Sequence, residues 1–350
     1  MAKNLRCAVI GVGAIGSDHL NSLSQCRRAV TAAIADTHPA RAGEAARRFG
    51  VSRIYQDYRD LLAQPDIDAV TIAVPNCLHA TIAIDALRAG KHVMLEKPMA
   101  LNAREAARII ETAEKVRRVL MVGMNFRFNP QTQLARLAIQ QGHLGDIYHA
   151  RCFYLRRSGI PRIGSWFTQK KLSGGGVSLD IGVHMLDATL HLLNDFAVAS
   201  VSAHTHARLG PRGLGEGTWG KSEIDPRRPF TVEDYSTALL KLKSGRTVQF
   251  EMSWAAFHPP ELREMGIDLL GTTGGLSLFP TRFFRNGANG YESVILKPTR
   301  LPQPEDRIHH FVDSVLDRKK PFVPPRESLK VQQILDAIYA SARSGRDVRL

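Results

Sequence analysis

Three glycines near the start of the chain have the spacing of a phosphate-binding loop. The segment G-V-G-A-I-G places them at Gly11, Gly13 and Gly16, between a short apolar run and a predicted helix. In that context the first glycine allows a tight turn, and the second lets the backbone approach a pyrophosphate. The third allows close packing of helix on strand, and the helix N-terminus favours the negative charge. The pattern predicts a dinucleotide site, with glycines that serve only packing as the alternative.

An acidic residue stands where such a site needs one. Asp36 ends the second apolar run, twenty residues after Gly16. Its carboxylate can accept hydrogen bonds from both hydroxyls of an adenosine ribose and would repel a 2′-phosphate, which favours NAD over NADP. Arg41 follows closely in the sequence and would soften that preference. A turn-capping role for Asp36 is the alternative.

A second group of residues has the spacing of an acid–base pair. Asp180, His184 and Asp187 are spaced i, i+4 and i+7 in a helix predicted over 177–193, which places them on one helix face. A carboxylate one turn from an imidazole can orient the ring and stabilise its charged form, as a base that removes a hydroxyl proton requires. A buried histidine with a helix-capping aspartate is the alternative.

The stretch V-M-L-E-K-P-M-A, residues 93–100, places two opposite charges directly after an apolar strand. A solvated strand end would explain Glu96 and Lys97 without any function. The alternative is a lysine that acts on a substrate, with Pro98 ending the strand beside it.

The elements that would carry these residues alternate in the first half of the chain. Strands are predicted at 5–11, 30–35, 53–55, 68–74, 92–95 and 118–124, and helices at 14–27, 39–49, 78–89 and 103–116. This alternation predicts a parallel sheet covered by helices on both faces. Ligands of such folds bind outside the carboxyl ends of the strands, which is where Glu96 and Lys97 lie.

The second half has a different pattern, and the fold class is α/β throughout. Strands are predicted at 147–155, 199–208, 233–242, 247–254, 265–270 and 275–279, and helices at 131–141, 177–193, 305–319 and 328–344. No helices separate the middle strands, so neighbouring strands are expected to be antiparallel. The glycines at 174–176 predict a flexible loop. The long segment 209–229 is expected to be either disordered or functional, as a subunit contact or a lid.

Composition limits the remaining possibilities. The 350 residues suggest about two domains, and 44% hydrophobic with 23% charged residues is typical of a soluble globular protein. No apolar run is long enough for a membrane span, and no signal peptide is recognised, so a cytoplasmic location is expected. The four cysteines form no C-x-x-C pair, which predicts no metal site. The net charge of +14 is spread thinly, which disfavours nucleic-acid binding and suits anionic ligands.

Taken in order, these motifs resemble the Gfo/Idh/MocA family, named for glucose–fructose oxidoreductase and inositol dehydrogenase. The resemblance covers essentially the whole chain. It rests on G-V-G-A-I-G, A-V-P-N-C-L-H at 73–79, E-K-P at 96–98, R-F-N-P at 127–130, G-G-G-x-x-x-D-I-G-x-H-x-x-D at 174–187, V-E-D-Y at 232–235 and the closing A-I-Y-A-S-A-R-S-G-R-D-V.

The resemblance implies an NAD(P)-binding Rossmann domain over residues 1–124. It implies a C-terminal α/β domain over 125–350, with an open, largely antiparallel sheet that serves substrate binding and assembly into homodimers or homotetramers. It also implies transfer of a hydride between a secondary alcohol of a cyclic sugar, polyol or sugar derivative and NAD, with NADP less favoured. By similarity, Lys97, Asp180 and His184 form the catalytic set.

Two further sets of residues are predicted to belong to the site. Those predicted to contact the cofactor are Gly11, Gly13, Ala14, Ile15, Gly16, Asp36, Thr37, Arg41, Val74, Pro75, Asn76, His79, Glu96, Lys97 and Arg127. Those predicted to shape the substrate site are Lys97, Tyr154, Arg156, Trp166, Phe167, Asp180 and His184.

Two alternatives to simple dehydrogenation stay open. One uses NAD transiently, to oxidise a glycoside before elimination or hydrolysis and to reduce it afterwards. The other is a regulator that senses NAD(H) without turnover, which the presence of Lys97, Asp180 and His184 argues against.

Overall fold

The computed structural model describes residues 4–218, 222–288, 290–295 and 306–350. The start of the chain, the middle of the segment 209–229 and the first residue of the helix predicted over 305–319 lie outside these ranges. The chain divides into two compact units. Of the described residues, the first unit contains 4–123, 222–223 and 306–329, and the second contains 124–218, 224–288, 290–295 and 330–350.

The first unit contains a six-stranded parallel sheet. Its strands are β1 Leu5–Ile10, β2 Ala29–Ala35, β3 Ile54–Tyr55, β4 Ala69–Ile72, β5 His92–Leu95 and β6 Leu120–Val122. They lie in the order β3-β2-β1-β4-β5-β6, which is that of a doubly wound dinucleotide-binding sheet. The order reverses between β1 and β4, and a ligand of this fold binds at the carboxyl ends there. The predicted parallel sheet is confirmed.

Helices connect these strands. They are α1 Ala14–Gln25, α2 Pro39–Phe49, α3 Tyr58–Leu62, α4 His79–Arg88 and α5 Ala103–Val116, with a 3-10 turn at Asn76–Leu78 before α4. Local signals fix several ends: Gly50 adopts φ +67° and ends α2, and the Asn102 side chain accepts a hydrogen bond from Glu105 N at 3.0 Å to start α5. The five-residue helix α3 was not predicted, because it is too short to show a helical period.

The second unit is built on a nine-stranded mixed sheet. Its strands are β7 Ile147–Leu155, β8 Val198–His206, β9 Tyr235–Leu242, β10 Thr247–Ser253, β11 Met265–Gly271, β12 Gly275–Leu278, β13 Arg282–Gly287, β14 Gly290–Ile295 and β15 Val348–Arg349. The order is β14-β13-β12-β11-β7-β10-β9-β8-β15. The described pairs are antiparallel except β7 with β10, so the largely antiparallel sheet is confirmed.

One face of this sheet is apolar and fully covered. Ala150, Cys152, Val248, Phe250 and Met252 on the central strands are all 0% exposed. The residues that alternate with them point to the opposite, open face. The strands β13 and β14 were missed, since R-F-F-R-N-G and its partner lie at the polar edge of the sheet and lack a clear alternation.

The remaining helices are α6 Pro130–Gln140, α7 Lys170–Ser173, α8 Val183–Leu193, α9 Arg307–Leu316 and α10 Pro325–Ser344, with 3-10 turns at Asn125–Phe128, Trp166–Thr168 and Gly210–Arg212. A π-helical turn at Ser178–Gly182 precedes α8. Helix α9 packs on α1 and β5 in the first unit, whereas a single boundary after residue 124 was expected. The roles assigned to the two predicted domains stay predictions.

Candidate functional site

The glycine loop of the first unit is closely packed except at one position. Gly11 has φ +84°, and a Cβ there would lie 2.4 Å from the Ala73 carbonyl oxygen. A Cβ on Gly16 would lie 1.8 Å from the Gly11 carbonyl oxygen. At Gly13, by contrast, a Cβ would meet no atom within 4 Å. The loop is therefore held by Gly11 and Gly16 and open at Gly13, which fits the approach of a pyrophosphate to the start of α1.

The residues after Gly13 are accessible. Ala14 and Ile15, which were predicted to contact the cofactor, lie exposed in the first turn of α1. Ile15 is 46% exposed. Exposure of a large apolar side chain beside the phosphate loop suits an adenine or ribose contact.

Asp36 at the end of β2 is held by four donors. Its Oδ2 accepts from Val12 N at 2.9 Å and from Arg41 Nε at 3.0 Å. Its Oδ1 accepts from His38 N at 2.8 Å and from Arg41 Nη2 at 2.7 Å. Burial raises the pKa of Asp36, but the hydrogen bonds from Arg41, His38 and Val12 outweigh it, so the net shift is downward. The carboxylate is thus ionised and oriented next to the glycine loop, while Thr37 beside it is exposed.

The loop after β4 contributes a buried histidine. Nδ1 of His79 lies 2.7 Å from the Pro98 carbonyl oxygen, and Nε2 lies 3.0 Å from that of Val74. Burial lowers the pKa of this imidazole, and the ring is 1% exposed. His79 therefore ties the loop after β4 to the segment after β5, and contact of its ring with the cofactor stays a prediction. Pro75 is half-buried, and Asn76 is buried in the 3-10 turn.

Glu96 and Lys97 leave the carboxyl end of β5, as predicted. Glu96 is 7% exposed as a residue, and its Oε1 accepts from His19 Nε2 at 2.9 Å and from Arg307 Nη2 at 2.7 Å. Burial raises the pKa of Glu96, but Arg307 and His19 outweigh it and hold the pKa well below its usual value. Lys97 is half-buried. Neither His19 nor Arg307 was predicted from the sequence to be a site residue.

In the second unit, Asp180 lies in the π-helical turn rather than in a regular α-helix. Its Oδ2 accepts a hydrogen bond from Trp254 Nε1 at 2.9 Å, and Trp254 is 0% exposed. A Cβ on the neighbouring Gly182 would lie 2.7 Å from the Phe250 ring, so this turn packs directly on the sheet. Trp254 was not predicted as a site residue. The signal available was an indole at the end of an apolar strand, since a buried indole N–H needs an acceptor.

His184 lies in the first turn of α8. Its ring stacks on Phe126, with 5.1 Å between the ring centroids and an interplanar angle of 21°. One face of the imidazole therefore packs on an apolar ring from the 3-10 turn at Asn125–Phe128.

Asp187, one turn later, has a structural partner. Arg127 donates to both of its oxygens, with Nε to Oδ2 at 2.8 Å and Nη2 to Oδ1 at 2.6 Å. The two side chains are 0% and 1% exposed, and the guanidinium also lies over the Phe196 ring at 5.4 Å. The i+7 member of the spacing therefore anchors helix α8, and the predicted cofactor contact of Arg127 stays a prediction.

The three glycines before Asp180 form a clamp rather than the expected flexible loop. A Cβ on Gly176 would lie 1.9 Å from the Glu233 carbonyl oxygen, and one on Gly175 would lie 2.0 Å from the Tyr339 hydroxyl. The Glu233 carboxylate accepts from Gly176 N at 2.9 Å, from Ser178 N at 3.0 Å and from the Tyr339 hydroxyl at 2.8 Å. The expectation of flexibility was wrong because the glycines provide close approach. Their carboxylate partner holds the start of the π-helical turn.

The remaining predicted substrate residues occur as two pairs. Arg156 lies over the Tyr154 ring at 4.5 Å and donates from Nη2 to its hydroxyl at 3.0 Å. The rings of Trp166 and Phe167 stack, with 3.8 Å between centroids. All four are half-buried and present polar and aromatic surface of the kind that binds sugars.

The first part of the long segment 209–229 is hydrogen-bonded to other residues of the second unit. Gly159 N and Ile160 N donate to the Gly215 carbonyl oxygen at 3.0 and 2.9 Å, and Gly217 N donates to that of Ile160 at 2.9 Å. The carboxylate of Asp234 accepts from the amides of 208–210. These bonds hold the first part of the segment within the second unit.

None of the helices in the described ranges has the length and apolar character that crossing a membrane requires. Within the same ranges, no three or more histidine, cysteine, aspartate or glutamate side chains are grouped so that they could hold a metal ion.

Two family models match the sequence. One, described as an oxidoreductase family with an NAD-binding Rossmann fold, covers residues 5–124. The other, described as the GFO/IDH/MocA C-terminal domain, covers residues 132–277.

Individual proteins extend the match to the whole chain. D-glucoside 3-dehydrogenase from Escherichia coli K12 is 31% identical over 353 residues, 99% of this chain and 97% of that protein. Levoglucosan dehydrogenase from Pseudarthrobacter phenanthrenivorans is 34% identical over 259 residues, 69% of this chain and 66% of that protein. A solved levoglucosan dehydrogenase in complex with NADH and levoglucosan matches with a TM-score of 0.84 and 26% identity, covering 99% of both chains.

Proposed function

The chain belongs to the GFO/IDH/MocA family of NAD-dependent sugar oxidoreductases, and from that premise we propose that it oxidises or reduces a secondary alcohol on a cyclic sugar, polyol or sugar derivative. Glucosides and anhydro-sugars come first among the candidate substrates, because relatives named for them match most of the chain. The observation that carries the proposal is the presence of Lys97 after β5, Asp180 in the π-helical turn and His184 in the first turn of α8.

NAD accepts or supplies the hydride when it is bound. In the oxidation direction His184 removes the proton from the substrate hydroxyl, since an imidazole titrates near neutral pH. Lys97 hydrogen-bonds the same oxygen and stabilises the alkoxide that develops there, an electrostatic contribution of several kcal/mol in a dry site. Asp180, itself held by Trp254, orients the substrate or the imidazole.

The cofactor-binding residues fit this role in the first unit. Gly13 leaves room for the pyrophosphate, and the ionised Asp36 can accept from the ribose hydroxyls. The guanidinium of Arg41 already neutralises part of the Asp36 charge. A 2′-phosphate would therefore be repelled less than by a bare carboxylate, and NADP is worth testing beside NAD.

The experiment is a panel of glucosides, anhydro-sugars, inositols, free sugars and sugar acids with NAD and with NADP, read out as reduced cofactor. We expect Lys97→Ala to keep NADH binding and to lose turnover by about 10²-fold or more. Lys115→Ala is the matched control, because Lys115 is an exposed lysine in the same unit.

Three outcomes would contradict the proposal. Normal turnover by Lys97→Ala on a substrate of the wild-type protein would remove the assigned role of the lysine. A silent panel combined with tight NADH binding would favour a regulator that senses NAD(H). Product formed without net NADH would instead point to redox-assisted cleavage of a glycoside.

We also propose that the chain assembles into a homodimer or homotetramer through the open face of the nine-stranded sheet. Leu239 and Leu270 on that face are 42% and 43% exposed. Apolar side chains on the uncovered face of a large sheet suit a second copy of the same surface.

A further inference from the structure

We propose that Arg307 is a positioning residue for Lys97, acting with His19 through the carboxylate of Glu96. The inference rests on the proposed function, in which Lys97 contacts the reacting oxygen. Glu96 is the link because it immediately precedes Lys97 and its Oε2 accepts from Lys97 N at 3.3 Å, while its Oε1 accepts from both His19 and Arg307. The side chains of His19 and Arg307 therefore fix the point at which Lys97 leaves β5.

Arg307 is supplied by a helix that is fastened to the first unit near both ends. At its start, the Asp306 carboxylate caps α9 by accepting from Ile308 N at 2.7 Å, and it also accepts from the Ser22 hydroxyl. Towards its end, Arg28 in the turn between α1 and β2 donates to both Asp313 and Asp317.

The cap at the start of α9 determines where the guanidinium lies. Arg307 is the first residue of α9, so the cap places it against the end of β5 although 211 positions separate it from Glu96. Residues 306–329 accordingly belong to the first unit, as does Glu96.

The carboxylate has little freedom to move elsewhere. The side chains of Glu96, Arg307 and His19 are 10%, 21% and 1% exposed. A Cβ on Gly123 in the neighbouring segment would lie 2.9 Å from Glu96 Oε1. The loss of one partner from such a buried pair leaves a charge without compensation, and the surrounding backbone must then shift or the carboxyl must take up a proton.

The loss of Arg307 would change the pH at which Glu96 takes up a proton. The titratable groups that face Glu96 are His19 from α1, Arg307 from α9, His79 from α4 and the adjoining Lys97. Burial favours the protonated carboxyl, and Arg307 is the largest opposing influence. Without Arg307 the pKa of Glu96 rises, so Glu96 is protonated at a higher pH than in the wild-type protein, and an acid limb of the pH–rate profile that depends on it moves to higher pH.

The test compares Arg307→Met with Arg307→Lys and with Arg28→Met. Arg28 also donates to carboxylates at the far end of α9, but it is 45% exposed and does not donate to Glu96 in the described contacts. The readouts are kcat against pH on a substrate found with the panel, the Kd for NADH and the thermal midpoint.

We expect Arg307→Met to lower kcat by about 10- to 100-fold, as displacement of a reacting group does. The change in kcat should exceed the change in NADH Kd, and the acid limb should move to higher pH. Arg307→Lys should recover part of the loss, and Arg28→Met should keep wild-type kcat and the wild-type pH profile.

Three results would overturn the inference. They are a wild-type kcat and pH profile in Arg307→Met, an equal loss in Arg28→Met, and, if Arg307→Met does not fold, a wild-type kcat in Glu96→Gln. Loss of activity in Lys97→Ala with full activity in Arg307→Met would remove only the positioning role. Full activity in Lys97→Ala would remove the proposed function itself.

Discussion

At the scale of single residues, each proposed catalytic group is held by side chains from other elements. Asp180 is held by Trp254, His184 by the Phe126 ring, and Lys97 through Glu96. Such support matters because rate depends on placing reacting groups within a fraction of an ångström. The hydrogen bond from Trp254 to Asp180 is the simplest of these contacts to remove by substitution.

Trp254→Phe deletes the indole N–H that donates to Asp180 and keeps an aromatic ring in the buried position. A hydrogen bond to a charged group contributes about 1.5–3 kcal/mol, so we expect kcat to fall about tenfold or more if the bond orients Asp180 during the reaction. Steady-state kinetics measure this, with the NADH Kd expected to stay unchanged.

A double-mutant cycle with Asp180→Asn provides the control. The effects of the two substitutions should be clearly less than additive, since both act through one hydrogen bond. Fully additive effects would show that Trp254 acts through packing rather than through Asp180.

At the scale of elements, local motifs predicted the parallel sheet and the glycine loop because their signals lie within a few residues. Partners distant in sequence were not predictable in this way. Arg307 and Trp254 reach the site residues over 211 and 74 positions, and nothing near Glu96 or Asp180 in the sequence points to them. The glycines at 174–176 illustrate a third case, in which the positions were recognised but their role was misread. A run of glycines is equally consistent with flexibility and with close approach, and only the partners distinguish the two.

The glycine clamp gives a prediction at this scale. Gly176→Ala would bring a Cβ to 1.9 Å from the Glu233 carbonyl oxygen, a backbone atom that cannot rotate away. We expect the unfolding free energy to fall by about 1–3 kcal/mol or more, as overpacking does. Turnover should fall as well, because the Glu233 carboxylate holds the turn that carries Asp180. Urea denaturation and kinetics measure the two effects.

Gly43→Ala is the matched control for this substitution. Gly43 lies inside α2, where a Cβ would come no closer than 3.6 Å to any atom, at the end of the Arg47 side chain. Alanine should stabilise this helix by about 0.5–1 kcal/mol. Equal destabilisation by both substitutions would contradict the clamp.

At the scale of the whole chain, the candidate site leaves two features to explain. They are the net positive charge and the exposed face of the nine-stranded sheet. The net charge of +14 suits anionic cofactors by long-range attraction, and it needs no nucleic-acid partner to explain it. The open sheet face of the second unit is different, because exposed leucines do not contribute to solubility. Composition could not predict this surface, since it arises only when nine strands lie side by side and helices cover one face.

Sedimentation velocity tests whether that face joins two copies. We expect the wild-type protein to sediment as a dimer or tetramer of the 38.7 kDa chain. Leu239→Arg should shift it towards monomer, because an unpaired guanidinium buried in an apolar contact is costly. Ile54→Arg is the control, since Ile54 is 45% exposed on the edge strand β3 of the first unit. A monomeric wild-type protein at micromolar concentration, or dissociation by both substitutions alike, would show that the open face is not the contact.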